Sequence, residues 1–324
     1  MALSPGKRIR RTVRSALIRL AIRLLGLLPL GPALWLGGAA GRLAHLLAGR
    51  TRRLALAHLE LAFPEKPPEE RARIAREMFV HLGCSTLELA SIRWYDRRLD
   101  SYVELSPPDL LRQVMARGRG MVFVTGHVGN WELLARRIAR AGVPNAVIAK
   151  SSWHPKLDEL AERFRAKGGV TTLWREDPDT GRAIIRTFRS GKALGILIDQ
   201  DTRVQGVFVP FFGRPAFTPR AAADFAVRFG APVVVGTVHR KGPGPRDGHV
   251  LEVEEIPFSP DPPDREAEVV RLTAACTAAL EHAIRRHPSE WVWMHERWRT
   301  RPPGEDRARG EANPVPKTAE LSRG

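Results

Sequence analysis

The chain has 324 residues, with 52 Lys and Arg against 35 Asp and Glu and a formal net charge of +17. That length suits one large α/β domain plus an appendage, and the basic excess favours an anionic partner: a membrane surface, nucleic acid or a phosphorylated substrate. Two cysteines, Cys84 and Cys276, lie far apart and in no metal-like spacing, so neither a disulfide scaffold nor a zinc site is implied and a reducing compartment fits.

Residues 1–59 contain no acid; Glu60 is the first. Lys7, Arg8, Arg10, Arg11 and Arg14 form a basic head, and Arg19 and Arg23 continue it on an apolar background. From Leu24 to Gly41 there is no charge, but Pro29, Pro32 and several glycines interrupt the run. About 20 apolar residues span a bilayer, so three readings stand. The segment is a transmembrane helix with its positive side cytoplasmic, an interfacial helix with Arg at anionic headgroups, or a cleaved signal peptide. Retained attachment is favoured, because the apolar and basic pattern continues through Leu43, Leu46 and Leu47. Residues 1–50 are therefore expected to be a membrane-anchoring segment.

Residues 51–117 read as helical, broken at Pro64, Pro67 and Pro68 and again at Pro107-Pro108. The catalytic core is expected over 118–302, where strands near 121–125, 146–149, 170–174, 193–198 and 232–238 alternate with helices near 131–140, 155–167, 180–190 and 219–229. That rhythm predicts an α/β fold with a mostly parallel central sheet covered by helices. A Gly- and Pro-rich turn, 239–249, leads to an antiparallel strand at 250–255, and a long helix at 264–286 closes the core. Residues 303–324 are polar, with Pro and Gly, and are expected to be disordered.

The stretch Val122 to Leu134, VFVTGHVGNWELL, carries the candidate chemistry. An apolar run bounded by glycine reads as a strand buried on both faces, and Asn130 is a good N-cap for the helix that follows. His127 then sits just past a strand's carboxyl end, the sheet edge where ligands bind in open α/β folds. Glu132, five residues on, falls in the first helical turn. The pair suits deprotonation of an alcohol, with the imidazole as base and the carboxylate holding the ring. Gly126 and Gly129 leave room for close approach. His154 and Glu159 share the spacing, but His154 lies in a polar loop with no apolar strand before it.

A second acidic group, Asp199-Gln200-Asp201, ends the strand near 193–198 on the same edge. It either orients a substrate or caps backbone amides; two carboxylates without a further ligand make a poor metal site. Four phenylalanines, Phe208, Phe211, Phe212 and Phe217, stand in a Pro-punctuated, loop-like stretch. They line an acyl channel, dip into lipid, or pack on the core. Trp291, Trp293 and Trp298 alternate with His295, Arg297 and Arg299, a pattern whose commonest meaning is packing onto the sheet. There is no Gly-x-Ser-x-Gly elbow, no P-loop, and no glycine fingerprint after a strand. A base without a protein nucleophile points to direct transfer onto a hydroxyl or amine.

Taken in order, these stretches resemble the bacterial lipid A biosynthesis lauroyl/myristoyl acyltransferases, within the wider glycerol-phosphate acyltransferase-like superfamily. The matching residues are Ala62-Phe63-Pro64-Glu65, Gly126-His127 with Gly129-Asn130-Trp131-Glu132, and Arg165 before Gly169. They continue with Asp199-Gln200-Asp201, Val209-Pro210-Phe211-Phe212-Gly213 with Thr218-Pro219, and Glu290-Trp291-Val292-Trp293-Met294-His295 through Arg301-Pro302. The resemblance implies an inner-membrane enzyme facing the cytoplasm. Such an enzyme moves an acyl chain from a thioester donor, usually acyl carrier protein, to a hydroxyl of a membrane glycolipid. Carried over, it makes His127 the general base and Glu132 its partner. Arg165, Asp199, Asp201, Asn130 and Gly129 then become substrate-binding residues, with Arg163 as an alternative to Arg165 and Asp201 to Asp199.

The expected function is thus O-acyl transfer by general-base catalysis, with helix-start amides or a nearby Arg stabilising the oxyanion. It needs no metal, no cofactor and no nucleic acid. Other lipid acceptors (a lyso-phospholipid, a mannosylated phosphoinositide, an amine-bearing lipid) are the enzymatic alternatives. A basic protein that binds membrane or nucleic acid without chemistry is the non-enzymatic one.

Overall fold

The computed structural model describes residues 24–152 and 155–304. The basic head, His154 and nearly all of the expected disordered tail lie outside the described residues. The described residues include, in order, helices α1 (Leu30–Leu47), α2 (Gly49–Ala62) and α3 (Pro68–Ala90). Pro29 stands at the N-cap of α1 and Pro32 in its first turn. Those positions lack helical N–H partners in any case, so the prolines begin this helix instead of interrupting it. Gly37 and Gly41 of α1 face α3 so closely that an added Cβ would meet Gly83 O at 2.5 Å and Phe79 O at 2.2 Å. The opposite face of α1 exposes Trp35 (71 %), Leu46 (67 %) and Leu47 (76 %). Among the described residues, no helix is long and apolar enough to cross a membrane.

A short helix α4 (Leu99–Tyr102), strand β1 (Val103–Ser106) and helix α5 (Leu110–Met115) lead into the core. The core then alternates through β2 (Met121–Thr125), α6 (Trp131–Arg140), β3 (Asn145–Ala149), α7 (Pro155–Lys167), β4 (Val170–Trp174), α8 (Thr180–Arg189) and β5 (Ala193–Leu197). A hairpin, β6 (Gly206–Phe211) and β7 (Arg214–Pro219), precedes α9 (Ala221–Phe229), β8 (Val233–Arg240), β9 (His249–Ile256) and α10 (Arg265–Arg286). The main sheet has the order β1-β9-β8-β2-β5-β3-β4 and is parallel except between β8 and β9. β2 lies inside it and is buried along its whole length, as its uninterrupted apolar run requires.

The expected strands and helices of the core are therefore present, and the architecture is mixed α/β with a mostly parallel sheet flanked by helices. Two elements depart from the sequence reading. β1 was not expected, and the loop-like phenylalanine stretch is a two-stranded hairpin. A two-stranded ribbon has two free edges, so Pro210, Pro215 and Pro219 cost it few ladder bonds. Its turn places Phe212 at φ 52° and Gly213 at φ 70°, the two-residue geometry that matches strand twist. Phe212 tolerates that conformation because its ring is buried against Phe63 and Trp293.

Glu88, near the end of α3, is fully buried and ties the layers together. Arg240 donates to its two oxygens at 3.1 and 3.0 Å. Asn130 Nδ2 donates at 2.8 Å, His249 Nε2 lies at 3.0 Å, and the Tyr102 hydroxyl also donates. Burial alone would raise the Glu88 pKa, but the charges and hydrogen bonds of His249 and Arg240, with Tyr102, hold the carboxyl well below the usual range. Glu88→Gln is expected to cost about 3–5 kcal/mol, because Arg240 is left as a buried, uncompensated charge. A carboxyl depressed in the folded state contributes stability that is complete above its unfolded value of about 4.3 and is lost as pH falls below it. Denaturant melts near neutral pH and at about pH 3.5 check both points: the gap between wild type and variant should narrow in acid.

Candidate active site

β2 and β5 are parallel neighbours with Thr125 opposite Leu197. His127 and Asp199 each lie two residues beyond those partners, so the register sets them side by side at the carboxyl edge. The His127 backbone N–H donates to Asp199 Oδ2 at 2.7 Å, and His127 Nδ1 lies 2.9 Å from Asp199 Oδ1. Trp291 Nε1 donates to Asp199 Oδ2 at 2.8 Å. Gly126 makes room: an added Cβ would stand 3.0 Å from the Asp199 carboxyl. Burial alone would raise Asp199, yet the adjoining His127 imidazole and the hydrogen bonds from His127 and Trp291 hold it well below the usual carboxylate range. An ionised Asp199 accepts the Nδ1 proton, which leaves the lone pair of the neutral imidazole on Nε2.

Glu132 stands elsewhere than the sequence reading put it. Its oxygens receive Arg165 Nε at 2.9 Å and Arg165 Nη2 at 2.5 Å. Among the described residues it makes no hydrogen bond to His127, and the carboxylate on the imidazole is Asp199. In the first turn of α6 the Glu132 side chain is directed at α7, which carries Arg165. Of the two arginines, Arg163 is exposed and pairs with Glu159 on its own helix. Asp201 turns away from His127 and binds Arg299 Nη2 at 3.0 Å and the Thr300 N–H at 2.7 Å.

Asn130 caps α6 as expected, its Oδ1 accepting from Leu133 N–H at 3.4 Å. Its amide nitrogen donates to Glu88 Oε2 at 2.8 Å and to Ser85 O at 3.3 Å. Gly129 has φ 60°, and a Cβ there would meet Val238 O at 1.9 Å. Its N–H donates to Glu290 O at 2.9 Å. These two residues therefore hold the turn from within the packing. Val292 N–H donates to His127 O at 3.2 Å, and Val128 bridges Trp291, so residues 290–292 clamp the far side of the turn.

Gln200, Trp291 and His295 complete the surroundings of His127 and were not picked out from sequence as site residues. Gln200 Nε2 lies 3.0 and 3.2 Å from the two His127 ring nitrogens and 2.6 Å from His295 Nε2. The His127 ring meets Trp131 edge-on at 4.9 Å and lies 5.2 Å from the His295 ring. Burial, helped by the neighbouring His127, lowers His295 to about 4, so its imidazole is neutral near pH 7. The signal was present in one respect: Gln200 stands between the two candidate aspartates, and His295 within the tryptophan-rich segment. The tryptophans pack as their commonest reading had it, and Phe211 and Phe212 join them in the core, one of the three readings of the phenylalanine stretch.

Among the described residues, no group of His, Cys, Asp and Glu has the arrangement of a metal site. A cavity of about 640 Å³, lined by Gln205, Arg220, Asp224, Arg228 and Arg265 among others, opens beyond the β5–β6 loop and contains none of the residues around His127.

The family described as bacterial lipid A biosynthesis acyltransferase matches residues 4–300. The lipid A biosynthesis lauroyltransferase of Escherichia coli (strain K12) is 27 % identical over 83 % of this chain and 86 % of its own. The palmitoleoyltransferase of the same strain is 27 % identical over 86 % and 88 %. A phosphatidylinositol mannoside acyltransferase of Mycolicibacterium smegmatis is 23 % identical over 62 % and 64 %. With a match that covers the helices, the sheet and the clamp alike, this chain belongs to the bacterial lipid A biosynthesis acyltransferase family and is an acyltransferase.

Proposed function

We propose that the enzyme joins a fatty acyl chain, delivered as a thioester on acyl carrier protein, to a hydroxyl of a membrane glycolipid of the lipid A precursor type. The observation that carries the reading is the His127–Asp199 pair at the carboxyl edge of the parallel sheet. His127 Nε2 takes the hydroxyl proton as the oxygen attacks the thioester carbonyl. The tetrahedral oxyanion then collapses, the C–S bond breaks, and the proton passes from the imidazolium to the departing sulfur. Asp199 holds the tautomer and stabilises the imidazolium. The Glu132–Arg165 pair shapes the polar end of the acceptor site. The likeness to a phosphatidylinositol mannoside acyltransferase supports a second acceptor, a mannosylated phosphoinositide.

The proposed location is the cytoplasmic face of the bacterial inner membrane, reached by docking on its surface. The support is the face of α1 that carries Trp35, Leu43, Leu46 and Leu47 at helical spacing, with Leu24 and Leu27 beside it, all more than half exposed. Such a face sinks roughly 5–10 Å into the headgroup boundary. Replacing Trp35, Leu43, Leu46 and Leu47 by Ser in the full chain is expected to lower partition into anionic vesicles by about tenfold or more. Flotation equal to that of the wild type would overturn this docking face.

The reaction is tested on membranes that contain the protein, supplied with mixed acyl carrier protein thioesters and either a lipid A precursor or a mannosylated phosphoinositide. Mass spectrometry should find one acceptor heavier by a single acyl chain. His127→Ala is expected to lose about 10²–10⁴ in rate; near-normal turnover in the folded variant would remove His127 from its role. Asp199→Asn, which disturbs the tautomer, is expected to cost about 10³–10⁴ and more than Glu132→Gln. The reverse order would return the ring partner to Glu132.

A further inference from the structure

The amide of Gln200 has an unusual position. An imidazole's nitrogens flank Cε1, so a group on the axis of one lone pair is far from the other nitrogen. Distances of 3.0 and 3.2 Å to the two nitrogens therefore place Gln200 Nε2 against the ring between them, off both axes. The in-plane lone pair of Nε2 stays open for an incoming hydroxyl. One amide hydrogen is given to His295 Nε2 at 2.6 Å. The other lies at the His127 ring, beside the place where an oxygen accepted by Nε2 becomes bonded to the carbonyl carbon.

We propose that Gln200, anchored by His295, is the side-chain donor that stabilises the oxyanion, and that His295 is a positioning residue acting through it. The inference rests on the reading of His127 as base. As the hydroxyl oxygen adds to the thioester carbonyl, the C=O pair moves to oxygen, the proton goes to His127 Nε2, and the free amide hydrogen of Gln200 meets the new charge. On collapse the pair returns to the carbonyl, the C–S bond breaks, and the sulfur takes the proton back. The amide is prepared beforehand, because its other hydrogen is committed to a half-buried neutral imidazole. A preformed donor of this kind needs no reorganisation as charge develops. The arrangement assigns to a side chain the task that sequence alone left to helix-start amides or an arginine. Of the Arg165 guanidinium nitrogens, Nε and Nη2 are engaged by Glu132.

Steady-state kinetics test this with two reactions: acyl transfer, and hydrolysis of the same acyl carrier protein thioester with no acceptor present, which passes through the same oxyanion. Gln200→Leu is expected to lower kcat of both by about 10²–10³ with KM values within about threefold. Gln200→Glu should fall further still, since it sets a carboxylate against the oxyanion, an order that a space-filling role would not produce. His295→Gln, which keeps an acceptor, should retain more activity than His295→Phe. Wild-type kcat in Gln200→Leu beside an inactive His127→Ala would overturn the donor and leave the base standing. Full turnover in His127→Ala would remove both. A measurement free of activity is the ¹⁵N shift of the His295 ring in the intact protein, since amide orientation and tautomer are linked. An unprotonated, hydrogen-bonded Nε2 is expected; a protonated Nε2 would turn the Gln200 carbonyl toward it and overturn the proposal.

Discussion

Asp199 is an ionised group buried from solvent, and the surroundings of His127 are arranged to satisfy it. A carboxylate in such a place is costly unless donors surround it. Here they come from the backbone N–H and the ring of His127 and from the indole of Trp291. Because one residue supplies both a main-chain and a side-chain donor, the turn and the ring orientation are fixed together. The same requirement decides which imidazole nitrogen is left basic. It also explains Gly126, whose missing side chain lets the ends of two parallel strands meet across a carboxylate.

A second buried carboxylate braces this arrangement from behind. Glu88 joins α3 to β8 through Arg240 and to β9 through His249, and it reaches the first turn of α6 through Asn130. Asn130 therefore faces two ways, capping the helix after His127 and anchoring that cap to another layer. Glu290 repeats the pattern: it receives the Arg240 N–H at 3.1 Å and lies 2.8 Å from His81. The turn at 127–129 is thus gripped on one side by the helical layer and on the other by residues 290–292. Its geometry is set by buried polar partners instead of by the turn's own sequence.

Much of this was legible in the chain itself. Parallel strands buried on both faces appear as unbroken apolar runs, so β2, β5 and β8 announce themselves, and Asn130 announces the start of α6. The edge on which His127 stands follows from those two facts. The partner of His127 did not follow, because that depends on which strand lies beside β2. Asp199 is 72 residues away in sequence, whereas Glu132 is near in sequence and directed at another helix. The β6–β7 hairpin was hidden by its prolines and by a turn with phenylalanine where asparagine or glycine is usual. Glu88 gave no signal, since an acid on an amphipathic helix ordinarily faces water.

The clamp by residues 290–292 has a consequence for how the enzyme comes into being. The strand that carries His127 and the strand that carries Asp199 are both made long before Trp291 leaves the ribosome. Until then the carboxylate lacks its indole donor, and the turn lacks the backbone bonds from Glu290 and Val292. Gln200 likewise waits for His295. The His127–Asp199 pair is therefore among the last features of the fold to be finished, and a partly synthesised chain carries both residues without the means to align them.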